Sequence, residues 1–444
     1  MRRATVRSCN IPFAQAALRD SFLLRSSLSA PRTVALIPQR KFGRALWIAG
    51  LLCIAVLTLS PQYAATKPPP SLCLLCGDTS VLDAILNVLL FVPFGMGLRL
   101  AGISRRRAFA IGLVTTITVE LLQIWIPGRD TSLGDVFTNA FGGFIGILGA
   151  DIWRVVVFPS RRASTRLAWG WTLLWTLVLV ASAELAHISL PNTKAWGTWR
   201  PELLHHDYFT GQVLSATAGG LPTPDSISAM SADVRRRLSS DSVVVEATIV
   251  GGIRTNPVSA IATIYDYNRS QIFMLGQRKG NLIFSIRMRT ADARVATPDI
   301  RLDSVFPPHR PVKPDTMLVA AGLIHHRLWI SLRTHGMTRE RTQPIDAGLG
   351  WSYLLPFDYE YGSEATWLTV LWLAGLSAPA MYWATRAGRS TVLTVGAALA
   401  ASLLLIPFAT GVHTTAWWEW IALVLGACIG ILIGRDGSRA SPAL

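Results

Sequence analysis

Eight apolar runs punctuate the chain, at 45–65, 81–100, 108–126, 133–157, 167–190, 365–387, 391–410 and 416–434. Each is near the ~20 residues that a helix needs to cross a bilayer. Between the fifth and the sixth the pattern changes. Short alternating or β-branched segments take over: SVVVEATIV from Ser242, PVSAIATIYD from Pro257, QIFMLG from Gln271, NLIFSIRMRT from Asn281, TMLVAAGLI from Thr316 and RLWISLR from Arg327. Turn residues such as Gly276, Gly280 and Gly336 separate them. Period-two patterning at that length predicts antiparallel strands in a β-sandwich. The expected fold class is a multi-pass α-helical membrane protein with eight transmembrane helices and one extracytoplasmic antiparallel β-sandwich domain.

Composition agrees with a membrane protein and excludes a soluble one: 51% of the 444 residues are hydrophobic and only 15% are charged, with mean hydropathy +0.39. The net charge of +16 does not point to nucleic acid, because the basic residues are not gathered on a soluble domain beside aromatic stacking positions. They follow topology. Arg105–Arg107, then Arg154, Arg161, Arg162 and Arg166, then Arg386 and Arg389, and finally Arg435 and Arg439 fall on one side, whereas the short loops of the other side hold Lys67 and Arg129. Positive residues stay inside, so both termini are expected in the cytoplasm and the sandwich outside.

The predicted domains follow. Residues 1–44, with Arg2, Arg3, Arg7, Arg19, Arg25, Arg32, Arg40, Lys41 and Arg44 against the single acid Asp20, form a basic cytoplasmic leader expected to be disordered. The first apolar run starts too late for a cleaved signal peptide. Residues 45–190 form a five-helix transmembrane domain, 191–362 the sandwich, 363–434 three further helices and 435–444 a cytoplasmic tail. Trp351, Tyr353, Tyr359, Tyr361 and Trp367, and then Trp417, Trp418 and Trp420, are placed as aromatic belts at the outer interface.

Three of the runs carry polar residues that lipid would exclude. Asp83 with Asn87, Glu120 with Gln123, and Asp135 with Asn139 are spaced i,i+4 or i,i+3, so each pair shares one helix face. Such faces turn inward. The alternating topology puts all three pairs in the outer half of the bilayer, beneath the loop PGRDTS. Arg129 in that loop is the expected counter-charge for Glu120 or Asp135, and Ser132 with Asp135 has the spacing of a capping box. A structural account competes with the functional one: buried polar contacts dock membrane helices, and Gly142 with Gly146 supplies a GxxxG surface. Glu184 and His187 add another i,i+3 pair, expected to anchor the interface and not to bind a metal.

Asn87, the run Leu90-Phe91-Val92-Pro93-Phe94-Gly95, Glu120-Leu121-Leu122-Gln123, Arg129, Ser132, Asp135, Asn139 and Gly142-Gly143 together resemble the VanZ-like family of bacterial membrane proteins. The resemblance covers about the first third of the chain. It implies a bacterial inner-membrane location; it does not carry a reaction with it. A second resemblance, carried by IFMLGQRKGNLIFSIRMRT and LWISLRTHG, is to the concanavalin A-like or laminin-G fold. Such sandwiches frequently bind carbohydrate. Arg287 and Arg289 alternate with Ile286 and Met288, so both are expected on one strand face, solvated or meeting an acidic glycan.

Other motifs add less. Cys73 and Cys76 form a disulfide candidate in an outer loop; no further ligands stand nearby for zinc, and no metal or cofactor is expected. No acid cluster suits calcium and no carboxylate pair suits a glycosidase. Asn268-Arg269-Ser270 matches a glycosylation sequon of no consequence in a bacterium.

Two functions remain open. In one, the protein binds envelope polysaccharide or a lipid-linked glycan through the outer-leaflet cavity of Asp83, Asn87, Gln123 and Asn139 and through the lectin-like domain. In the other, it is an enzyme on a lipid-linked or amphipathic substrate, with Glu120 and Asp135 as acid and base and Arg129 as anion clamp.

Overall fold

The computed structural model describes residues 36–61, 74, 77–129, 131–191, 195–198, 207–222, 242–266, 270–309, 315–355 and 359–439. Among these residues lie eight long helices: α1 Leu36–Leu59, α2 Ser80–Leu100, α3 Arg105–Gln123, α4 Leu133–Val157, α5 Arg161–Leu185, α6 Ala365–Ala387, α7 Arg389–Thr410 and α8 Trp417–Arg439. Six of them, α1, α2, α4, α5, α7 and α8, are long and apolar enough to cross a membrane. The other two fall short of that measure. α3 opens on three arginines and carries Thr115, Thr116, Thr118, Glu120 and Gln123, while α6 mixes glycine, serine and proline among its apolar residues. Both nonetheless bury one face in the bundle, α3 through Thr116, Val119 and Glu120 and α6 through Leu373, Ala380 and Ala384.

The first four helices have a core of their own, built from Ile54 of α1, Phe91, Phe94 and Leu98 of α2, Val119 of α3 and Ile147 of α4. α2 and α4 run against each other at backbone contact: Gly142 and Gly146 face the Val88 and Val92 carbonyls, with no room for a side chain between. At one end of this unit Asp151 of α4 takes Arg99 of α2 at 2.8 Å and Arg105 of α3 at 2.7 Å, joining three helices through one carboxylate.

The segment after α5 forms two sheets. One has the order β1 (Ala195–Thr198), β6 (Thr255–Asp266), β7 (Gln271–Lys279), β8 (Asn281–Ile286), β9 (Asp299–Leu302) and β13 (Glu360–Tyr361), with β2 (Asp207–Tyr208) also on β6. The other has the order β12 (Met337–Pro344), β11 (Arg327–Thr334), β10 (Thr316–Ile324), β5 (Ser242–Val250), β3 (Gln212–Ala218) and β4 (Leu221–Pro222). Pairing is antiparallel except at β2–β6 and β9–β13. Alternate residues Val243, Val245, Ala247 and Ile249 of β5 point inward with Val319 and Ala321 of β10, toward Phe273 and Leu275 of β7 and Phe284 of β8. That is the interior of a two-layer sandwich. The same core continues into the bundle through Leu82 of α2, Trp175 and Leu179 of α5 and Leu373 of α6. The domain is packed on the helices, not tethered to them.

The seam differs from the expected strand face. β8 ends at Ile286, and Arg289–Asp292 turns into a single helical turn. Arg287 pairs with Asp292 at 2.7 Å and Arg289 with Glu184 of α5 at 2.5 Å, so neither arginine is held out for a glycan. Backbone bonds from Arg289 N to His187 O and from Leu82 N to Arg294 O, 2.8 and 3.2 Å, complete the joint. Because Arg289 and Glu184 remain 53% and 48% exposed, Glu184→Gln is expected to cost less than about 1 kcal/mol. The backbone bonds and apolar contacts carry the seam, and a thermal midpoint within a few degrees of the native one would show it.

Candidate functional site

Asp83 lies in the first turn of α2 and accepts from Thr79 Oγ1 at 3.2 Å, with its side chain exposed. One turn deeper, Asn87 donates through Nδ2 to Asp135 Oδ1 of α4 at 2.9 Å. Glu120, in the last turn of α3 and 8% exposed, accepts the Ser132 N–H at 3.0 Å. Asp135 stands within electrostatic reach of both Asp83 and Glu120. Side chains from three helices thus meet at the end of the bundle that carries the sandwich.

The capping of α4 explains the arrangement. Ser132 is the N-cap, and its Oγ accepts from Gly134 N at 3.1 Å. In a capping box the acid three residues on would take the N-cap amide. Here Glu120 of another helix takes it, which corrects the expected role of Asp135. Relieved of capping, the Asp135 carboxylate keeps acceptor capacity beyond the Asn87 bond.

Arg129 is the second correction. Its Nε and Nη2 donate to Ser60 O and Leu57 O, 2.9 and 2.5 Å away. These are carbonyls at the C-terminus of α1, which have no intrahelical partner and attract a cation. The guanidinium caps α1; it is not the counter-charge of Glu120 or Asp135 among the described ion pairs.

The other two amides do different work from the cluster. Gln123 Nε2 donates to Thr58 O of α1 at 3.0 Å, and Asn139 Nδ2 to Thr116 Oγ1 of α3 at 3.0 Å, so each ties two helices together. Their amide oxygens are buried with no donor among the described groups. Asp83, Asn87, Asp135 and Glu120 therefore form the cluster proper. Carboxylates only accept, so this site suits hydroxyl or ammonium donors. Arg294 of the sandwich approaches its rim, reaching Ser80 Oγ at 3.5 Å one turn from Asp83. Cys73 and Cys76 lie outside the described residues.

One polar centre has no counterpart in the sequence reading. Asp346 and Glu419 are each 1% exposed, where the loop before α6 meets the start of α8. Asp346 Oδ1 accepts from Gly348 N at 3.0 Å and Glu419 Oε2 from Ala416 N at 2.9 Å. Burial raises Asp346 well above the ordinary carboxylate range, to about 7. Glu419 sits among Trp417, Trp418 and Trp420, a run that reads as an aromatic belt. The available signal was a lone acid in the first turn of an apolar helix.

Comparison with known proteins bears on the first four helices. Residues 22–154 match the family model described as VanZ/LLP1. "Protein VanZ" of Enterococcus faecium is 37% identical over 67 residues, which are 15% of this chain and 42% of that protein. The chain thus spans less than half the length of the curated relative it matches. No solved structure matches the chain. The N-terminal region, including Glu120, Asp135 and their partners, is VanZ-like.

Proposed function

We propose that this protein is a binding component of the bacterial cell envelope, resident in the inner membrane with both termini cytoplasmic. In this reading it holds envelope polysaccharide or a lipid-linked glycan through the outer-leaflet carboxylate cluster and the external sandwich, which we take as concanavalin A-like. The observation that carries the proposal is the state of Asp135: its capping duty has passed to Glu120, and it stays partly open under the sandwich with acceptor capacity left over. Sugar hydroxyls and amino groups are the donors that such a site selects.

A cleft in the sandwich supports the same reading. It encloses about 400 Å³ and is lined by Arg254, Lys279, Asn281, Ser304 and Phe306 around the β7–β8 turn. β8 runs from that turn toward the seam, roughly 20 Å at strand rise from Asn281 to Ile286. The enzymatic alternative keeps Glu120 and Asp135 as acid and base but loses its anion clamp, since Arg129 is engaged on α1.

The test uses the full chain in nanodiscs, titrated with envelope polysaccharide fragments and lipid-linked glycans. Asp135→Asn preserves an oxygen for Asn87 and removes the charge, so it is expected to fold at normal yield and to weaken binding about tenfold or more. Native-strength binding by that variant, or silence across the whole glycan panel, would sink the proposal. Turnover of a lipid-linked glycan, lost in Glu120→Gln at normal protein abundance, would replace it with the enzymatic one.

A further inference from the structure

A second polar site lies at the opposite end of the bundle, where α6 ends, α7 begins and α8 leaves the membrane. A cleft of about 870 Å³ opens there between Thr385, Arg386, Gly388, Arg389, Val392, Leu393, Ile431, Gly434, Arg435 and Pro159. Three of these are arginines, and four, Val392, Leu393, Ile431 and Pro159, are apolar side chains. Arg161 of α5 closes one side, donating from Nε to Ala387 O at 2.7 Å.

The turn between α6 and α7 brings the cations together. Gly388 holds it with φ +132°, a conformation that L side chains rarely adopt, and a Cβ there would stand 3.1 Å from Arg161 Nη2. The turn is thereby short enough to set Arg386 and Arg389 three residues apart. Gly388 is also the N-cap of α7, and no side chain caps the start of this 22-residue helix.

The Arg386 guanidinium is the sharper observation. It lies over the Tyr382 ring, 5.7 Å from the centroid, and its Nε and Nη1 are buried with no hydrogen-bond partner. Buried donors of a charged group are costly to leave unmade. Among the described ion pairs none includes Arg386 or Arg389. Tyr382 is itself held by its hydroxyl, which donates to Val157 O, so the ring fixes the guanidinium in place. Two arginines, Arg386 and Arg389, on one cleft with an apolar wall are the chemistry of a phosphate site.

We infer that this cleft binds the phosphate of an anionic phospholipid, with its acyl chains lying along Val392, Leu393 and Ile431. The apolar side of the cleft argues for a lipid: Leu393 is 74% exposed and continues onto the outer faces of α7 and α8, where Leu404, Leu405 and Leu432 are also exposed. The arginine-rich face is the cytoplasmic one by charge asymmetry, and basic pockets between helices on that side suit acidic head groups. The site is separate from the carboxylate cluster and does not depend on what that cluster binds.

The experiment uses the full chain in nonionic detergent, with thermal unfolding and native mass spectrometry read against added phosphatidylglycerol, phosphatidylcholine or inorganic phosphate. Phosphatidylglycerol is expected to raise the unfolding midpoint and to stay bound, and the other two are not. Arg386→Gln is expected to weaken phosphatidylglycerol retention about tenfold or more, and Arg389→Gln, at an exposed helix start that tolerates change, severalfold. Arg154→Gln removes a cation from the same face outside the cleft and is expected to leave retention unchanged. Equal protection by phosphatidylcholine overturns the inference, as does retained preference in both cleft variants. Full protection by inorganic phosphate alone would make the ligand a free anion and also overturn it.

Discussion

Glu419→Ala is expected to lower folded stability by about 3 kcal/mol or more, whereas Glu419→Gln is expected to unfold near the native midpoint. The Asp346 and Glu419 carboxyl groups stand against each other out of water, and two charges so placed do not both ionise. Glu419 Oε1 has no donor among the described groups, so the pair closes only with a proton held between its members. Alanine takes away that partner and the acceptor of the Ala416 N–H. Glutamine keeps the acceptor and offers Asp346 an N–H.

The pair also gives stability a direction in pH. Because burial raises Asp346 to about 7, the folded chain holds a proton that the unfolded chain releases above about pH 4. Folding therefore binds protons in this window. The contribution is fully present below about pH 4 and is lost as pH rises through about 7. Midpoints measured in detergent across that range are expected to fall with pH in the native protein and to fall less in Asp346→Asn. A native midpoint rising over the same range, or Glu419→Ala unfolding with the native chain, would contradict the account.

The helices were legible because long apolar runs announce themselves: the expected 133–157 and 365–387 coincide with the helices α4 and α6, although of these two only α4 is apolar enough to cross a membrane. Their polar ends were less legible. α3 starts at Arg105 and α5 at Arg161, several residues before the apolar runs, since hydropathy marks the apolar stretch and not the helical turn of basic residues that precedes it. α1 stops at Leu59, where Arg129 meets its carbonyls.

Within the cluster, i,i+4 spacing identified the faces, and Asn87 does meet Asp135. Which polar group takes which partner was not readable. A carboxylate from α3 supplanting the local capping acid, and an arginine preferring carbonyls to carboxylates, are both choices made by tertiary proximity. Asp346 and Glu419 share no local spacing at all, and only the packing of the loop after β12 against the start of α8 brings them together.

The cluster depends on how closely α2 and α4 approach, which makes Gly146 the other position of large expected effect. A Cβ at Gly146 would lie 2.1 Å from Val92 O and 2.7 Å from Met96 N, both backbone atoms that no rotamer change can move. Ordinary contact requires the helices to part by more than about 1 Å. Gly146→Ala is therefore expected to cost about 1 to 3 kcal/mol, and Gly146→Leu to block assembly of the four-helix unit. The same parting stretches the 2.9 Å Asn87–Asp135 bond, so Gly146→Ala is expected to weaken glycan binding as well as stability. Gly149, one turn along the same helix with open space where its Cβ would stand, is the internal control. There alanine is expected to be neutral or to stabilise by up to about 1 kcal/mol through helix propensity. Unfolding midpoints and glycan titrations of the two alanine variants side by side decide the matter: equal behaviour would mean that close approach of α2 and α4 does not govern the site.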